Sequence, residues 1–352
     1  MLISFLQMNL RAKLFITILS TLLCVNGYSQ WLTADLYYDG LFDNREFKGD
    51  MQPQTIYGMR LMPEIGIDAA PHRIRVGFSK IWEFGAKDII DPEIILYYRF
   101  TGPVSYYFGA IPRNNLQRQL PDAFLYDSIA FFEPTIKGTL IQYSCRDVFE
   151  TELYCNWFSR QTFTDREAFR IVWDGFVGSG MFGGGWFVAM THFANTMQHN
   201  HALYEKFQFN PYLSFEYPSK ESITNFRVKA DAGMLFSIVH CRANDFWYNP
   251  IGFLGDIQLG WKGFDIKSTV YAGGPQMQYL DDPEAGLTFH RSDPFYNHSF
   301  YNKTEFGVLL VSDSRAQLGF RWNLHFTPGT PVHNQQLITL KYRIGMNKNL
   351  HE

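Results

Sequence analysis

The chain has 352 residues, 17% aromatic and 18% charged, with a net charge of −3, and its mean hydropathy is −0.18. No basic stripe is present to neutralise phosphates, which argues against a nucleic-acid partner. Beyond residue 29 no apolar run approaches the roughly 20 residues of a spanning helix, so a helical membrane protein is excluded and a β-barrel or a soluble β-protein remains.

At the N-terminus, Arg11 and Lys13 precede an uncharged run from Leu14 to Val25, followed by Gly27-Tyr28-Ser29. This is the pattern of a secretory signal peptide, predicted over residues 1–29, with one barrel domain over 30–352. Leu22 and Leu23 stand before Cys24 where a lipid-modified cysteine would follow small residues, so cleavage is expected rather than a lipid anchor. The remaining cysteines, Cys145, Cys155 and Cys241, carry no metal spacing and read as small apolar residues, with at most one bridge among them.

From there the chain alternates with period two. In 166–177, Phe169, Ile171, Trp173 and Val177 oppose Arg170, Val172 and Asp174. In 256–261, Ile257, Leu259 and Trp261 oppose Asp256, Gln258 and Gly260. The segment 315–326 sets Ala316, Leu318, Phe320, Trp322, Leu324 and Phe326 against Gln317, Gly319, Arg321, Asn323 and His325, and 336–346 repeats the pattern. About sixteen strands are predicted, starting near 31, 56, 72, 93, 104, 135, 147, 166, 182, 207, 224, 251, 264, 299, 316 and 336. Short turns such as Ala70-Pro71, Thr101-Gly102-Pro103 and Lys262-Gly263 interleave with long links at 46–55, 113–134, 194–206, 240–250 and 273–298. Such an alternation predicts an all-β, transmembrane, antiparallel up-and-down β-barrel with a long loop after its fifth strand.

In this architecture the chain resembles the porin-like superfamily of Gram-negative outer-membrane β-barrels. The most particular element is YYFGAIPRNNLQRQLPDAFLYDSIAFFEP, 106–134, which follows the fifth strand where porins fold a constriction loop into the barrel. The chain departs from the porin pattern at its end, running past Tyr342 to Met346 and NKNLHE instead of closing on an aromatic residue. The resemblance implies an outer-membrane location and a loop carrying Arg113, Arg118, Asp122, Asp127 and Glu133 into the pore. Phe124, Tyr126, Phe131 and Phe132 are expected to anchor that loop inward against the glycine-bearing strand at 183–185.

If the apolar faces meet lipid, the polar faces line the interior. The predicted pore-lining residues are Arg73, Arg75, Glu150, Glu152, Arg170, Asp174, Arg321, His325, Lys341 and Arg343. The basic ones would form one wall, Glu150 and Glu152 would sit beside Arg170 and Asp174, and Asp35 and Asp39 would face Lys341 and Arg343 on closure. Opposed walls would orient polar solutes, whereas local pairing would leave a filled, quiet lumen.

The stretch THFANTMQHNH, 191–201, holds His192, His199 and His201. His192-Phe193-Ala194-Asn195 resembles the His-x-Ser-Asn motif of outer-membrane phospholipases and lipid A deacylases, but Ala194 stands where the nucleophile belongs. A metal site on the three histidines lacks a carboxylate or thiol inside the stretch, so the segment reads as a strand reaching the rim and no metal or cofactor is expected. The function expected is passage of small polar solutes through an outer-membrane channel. Alternatives are a closed barrel that binds at the surface or serves structurally, and a lipid hydrolase. Outer-membrane lipid and small polar solutes are the partners expected, with a homo-oligomer allowed by the architecture.

Overall fold

The structure, a computed structural model, describes residues 32–345 apart from 50, 147, 199–202, 219–225 and 282–285. The predicted signal peptide, His199, His201 and the C-terminal NKNLHE lie outside the described residues. Among the described residues seventeen strands form one sheet: β1 (Leu32–Glu46), β2 (Gln54–Ala69), β3 (His72–Glu83), β4 (Glu93–Phe100), β5 (Val104–Pro112), β6 (Thr135–Cys145), β7 (Phe149–Ser159), β8 (Ala168–Ser179) and β9 (Phe182–Phe193). The rest are β10 (Tyr204–Tyr217), β11 (Phe226–Cys241), β12 (Phe246–Tyr248), β13 (Ile251–Trp261), β14 (Phe264–Gly273), β15 (Phe300–Ser312), β16 (Ala316–Phe326) and β17 (His333–Gly345).

Apart from the break between β12 and β13, each strand pairs antiparallel with its sequence neighbours, and β1 pairs with both β2 and β17, which closes the sheet. The short β12 and the longer β13 lie along the same neighbour, β11, so seventeen strands make sixteen staves. Asn249-Pro250 separates the two; proline has no N–H to continue a ladder. Closure gives every described stave a partner on both sides, which is the condition for crossing hydrocarbon with β-structure.

The alternation read from sequence sorts the two faces. On β16, Trp322 is 41% exposed while Asn323 and His325 are 1% exposed. On β8, Ile171, Trp173 and Val177 point out, and Ala168, Arg170, Val172 and Asp174 are buried. Outward apolar side chains such as Leu213, Ile94, Ile257 and Phe108 form a band around the barrel, as a surface in lipid requires.

The interior departs from a purely polar lining. Ile95, Ile111, Ile136, Leu140, Val172 and Leu235 are fully buried on inward faces and pack against Phe124, Phe295 and Tyr296 from the long loops. Residues 113–134 and the described parts of 274–299, 274–281 and 286–299, therefore fill part of the lumen. The first carries helix α1 (Asp127–Phe132) and the second helix α2 (Gly286–His290). Cys145, Cys155 and Cys241 are free thiols, and Cys241 is buried in an apolar cluster with Val239 and Phe289.

Candidate functional site

The loop after β5 is fastened at its base. Arg113 donates from Nε to the Glu133 carbonyl at 2.7 Å, and its backbone N–H bonds the Pro134 carbonyl. From there the chain turns inward. Glu152 accepts the backbone N–H groups of Gln117 (2.9 Å) and Arg118 (3.3 Å) and the Gln142 amide (2.9 Å), so a carboxylate from the wall holds the turn of the loop. Arg118 reaches across to the Tyr212 hydroxyl, lies over the rings of Phe176, Phe187 and Tyr212, and pairs with Glu150 at 3.6 Å. Tyr212 in turn covers Gly185, where a Cβ would collide with its hydroxyl and with the Gly175 carbonyl. The glycine face of β9 thus accepts a neighbouring ring, and the loop docks through Arg118 onto that ring.

Its aromatic residues anchor separate regions. Phe124 is fully buried against Phe187, Tyr126 lies under the Arg45 guanidinium, and Phe131 packs with Ile56, Ile81 and Leu337 on the opposite side. The expectation that all four aromatics dock on residues 183–185 is therefore corrected: the ring contacts spread across the barrel, because the loop spans the lumen and meets a different strand at each ring. Arg170 donates to the Phe124 carbonyl at 2.5 Å and to Gln208 at 3.2 Å.

The second inserted segment locks the first. Arg291 forms an ion pair with Glu133, Tyr126 N–H bonds the Arg291 carbonyl, and Asp293 N–H bonds the Asp122 carbonyl. Ser292 donates to the Ala123 carbonyl at 2.8 Å. On the wall, Lys206 donates to the Gln276 carbonyl at 3.0 Å and lies 3.1 Å from His290 Nδ1. Burial and the neighbouring Lys206 hold the His290 imidazole well below the usual histidine range, so it stays neutral and can accept there. His325 bonds the Tyr301 hydroxyl at 2.7 Å and Gln335 at 3.1 Å, stacked on Phe295. It binds loop to wall rather than facing an open pore, a role that strand alternation alone does not announce.

Beside this filling a cavity of about 380 Å³ opens between the loop and the inward faces of β10, β11 and β13–β16. Arg118, Asp122 and Asp127 form its loop side, with Lys229, Asp231, Asp256, Asp265, Lys267, Lys303, Glu305 and Arg321 on the strands. Lys303 is the hub, 2.8 Å from Asp122, 3.6 Å from Glu305 and 3.9 Å from Asp127. Lys229 pairs with Asp231 at 3.0 Å and Lys267 with Asp256 at 3.4 Å. Lys303 keeps the Asp122 carboxyl below its usual range despite burial, while Asp122 pushes Asp127 up to about 6.

Elsewhere the anticipated basic wall is broken into local pairs. Arg75 lies 3.2 Å from Asp35 and 3.3 Å from Asp68, and Arg73 lies 2.7 Å from Asp68. Arg343 pairs with Asp35 at 3.4 Å and Lys341 is exposed near the short-turn end. Asp39 pairs with Arg60 at 2.5 Å rather than with Lys341, although the register sets Asp39 opposite Lys341. Asp174 stands opposite Glu152, whereas Arg170 stands opposite Asn156, so the two glutamates meet the loop instead of Arg170.

His192 lies on the outer face near the long-loop rim. The ladder sets Trp157, Phe169, His192, Glu205, His240 and Trp247 in one row across six strands. His192 Nδ1 is 3.4 Å from Glu205, which is also gripped by Arg242 at 2.6 Å. None of these six residues carries a hydroxyl or a thiol. Among the described residues no cluster of histidine, cysteine, aspartate and glutamate is arranged to hold a metal.

Comparison with known proteins agrees with this geometry at the level of fold. Similar solved structures come from Pseudomonas aeruginosa. OpdL is 11% identical with a TM-score of 0.54, covering 90% of this chain and 99% of that one. OccK9 (OpdG) is 9% identical with a TM-score of 0.53, covering 90% and 98%. The outer membrane protein OpdK is 9% identical with a TM-score of 0.52, covering 89% and 99%. A sequence model described as lipid A 3'-O-deacylase-type matches residues 26–175, under half of the chain and ending before His192. No curated protein matches the sequence. The chain has the closed, sixteen-stave fold of porin-like Gram-negative outer-membrane barrels.

Proposed function

We propose that the protein is a selective outer-membrane channel for small polar solutes, with a passage controlled by its two inserted loops. The observation that carries this reading is the turn of residues 113–134 into the lumen, where Arg118, Asp122 and Asp127 become part of a charged cavity. A volume of about 380 Å³ suits one small solute and its water, since ligand sites begin at roughly 300 Å³. Paired charges along the walls can stand in for a solute's hydration water, and an apolar pocket would not. The long-loop half is packed with aromatic side chains, so entry from that side requires the loops to shift. OpdK has been crystallised with vanillate, and that neighbour's ligand is in keeping with a solute pathway on this fold.

Swelling of liposomes that contain the folded protein tests the proposal. Swelling in small polar solutes, slowing as solute size rises, is the expected result. Liposomes that stay impermeable to every solute, with the protein inserted and folded, would return the barrel to a binding or structural role.

A second reading has one specific support, the partial match to the lipid A 3'-O-deacylase-type family together with the His192–Glu205 pair on the outer face. The missing nucleophile at Ala194 weighs against it. Release of fatty acid from labelled lipid A, lost in His192→Ala, would establish hydrolysis.

A further inference from the structure

Two charged side chains of the cavity differ from the rest. Every other charged residue in its lining has an opposite charge within 4.0 Å, whereas Asp265 and Arg321 have none among the described residues. They are close in the sheet. Asp265 on β14 stands opposite Gly307 on β15, and Gly307 stands opposite Arg321 on β16, so one row carries a carboxylate, a bare backbone and a guanidinium. The Asp265 carboxylate leans over Gly307, where any Cβ would collide with it. The backbone positions of Asp265 and Arg321 are two strand spacings apart, about 9–10 Å, and the two groups face the same cavity across the glycine.

From this arrangement we infer a subsite for a small zwitterion. The solute's carboxylate meets Arg321 and its ammonium meets Asp265. The lining holds six carboxylates and five cations, so its net charge favours neither a simple anion nor a simple cation. What the site offers is a pair of opposite charges without internal partners, and a molecule carrying both charges satisfies both at once. A monoanion satisfies only the guanidinium, and a monocation only the carboxylate. Gly307 leaves room for the Asp265 carboxylate to lean towards the Arg321 strand, so the two charged groups flank one face of the cavity. Arg321 can hold a carboxylate through two parallel N–H bonds, which orients the solute as well as binding it.

This inference rests on the channel reading for its place in transport, but binding can be measured without passage. The detergent-solubilised, full-length protein is titrated in a calorimeter with 4-aminobutyrate, butyrate and butylamine, three probes of similar length that differ in their charged ends. The zwitterion should bind about tenfold tighter than either singly charged probe, as the loss of one charge-assisted hydrogen bond implies. Arg321→Gln should bring 4-aminobutyrate down to the level of butylamine, and Asp265→Asn to the level of butyrate. Heat-modifiable migration of both variants verifies that the barrel remains closed. Equal binding of the three probes, absence of binding, or indifference to both substitutions overturns the subsite. Tight zwitterion binding by a protein that leaves liposomes impermeable sinks the channel reading and leaves the subsite standing. Permeation without zwitterion preference does the reverse.

Discussion

Trp322 and Asn323 are neighbours in the chain yet meet different surroundings, the first 41% exposed on the outside and the second 1% exposed within. A basic residue on the outer face near the midplane costs roughly 2–4 kcal/mol. Trp322→Arg and Leu318→Arg should therefore reduce the folded, membrane-inserted fraction, and Gln317→Arg on the inward face should leave it near wild type; the heat-modifiable band from outer membranes measures all three. Inside, Asp293 is buried and its carboxyl is pushed up to about 7, chiefly by burial and then by Asp122. The raised value means that the packed loop favours the neutral acid, so its contribution is complete below the ordinary aspartate range and is lost as pH rises through about 7. After correction for the intrinsic exchange rate, amide exchange in residues 286–298 should accelerate between about pH 4 and about pH 7, and Asp293→Asn should remove that step. Period-two alternation makes the faces legible from sequence, because each strand residue has only two directions to point. Partner choice is not legible: Asp39 takes Arg60 instead of Lys341 because the pair is settled by side-chain reach between adjoining strands.

At the scale of elements, all sixteen staves begin within three residues of their expected starts, from Leu32 to His333. The break at Asn249-Pro250 hides β12, since three residues show no period. Loop 113–134 stands out through its length and its charges. Its companion, 274–299, is longer and carries as many charges, yet length and charge do not direct it inward; Met277, Phe289, Phe295 and Tyr296 are too apolar for an external loop and give the signal in retrospect. The loop 113–134 meets the wall at Lys303. Replacing that residue by Met strands Asp122, Asp127 and Glu305 without their shared cation, a change costing roughly 3–5 kcal/mol when an ion pair is fully buried. Lys303→Met should expose the segment 113–134 to limited proteolysis. Arg73→Gln, at a more exposed pair, should leave the cleavage pattern unchanged, since such pairs contribute about 0–1 kcal/mol.

For the molecule as a whole, closure between β1 and β17 fixes a lumen wide enough to admit two folded segments, and those segments decide what remains open. Sixteen staves leave an aqueous passage unless something fills it, and here the filling reaches Ser144 and Glu150 beside the short turn between β6 and β7 and leaves a cavity along β10–β16. The charged cavity remains there, lined among others by Lys229, Asp265 and Arg321. Single-channel recording in a planar bilayer, comparing the intact protein with one lacking residues 116–130, bears on this arrangement most directly. The intact barrel should open in small discrete steps, and the shortened one in larger steps because Arg118, Asp122 and the Phe124 anchor are gone. Silence from both proteins, each shown to be folded and inserted, would contradict a channel; equal conductance from both would contradict control by the loop.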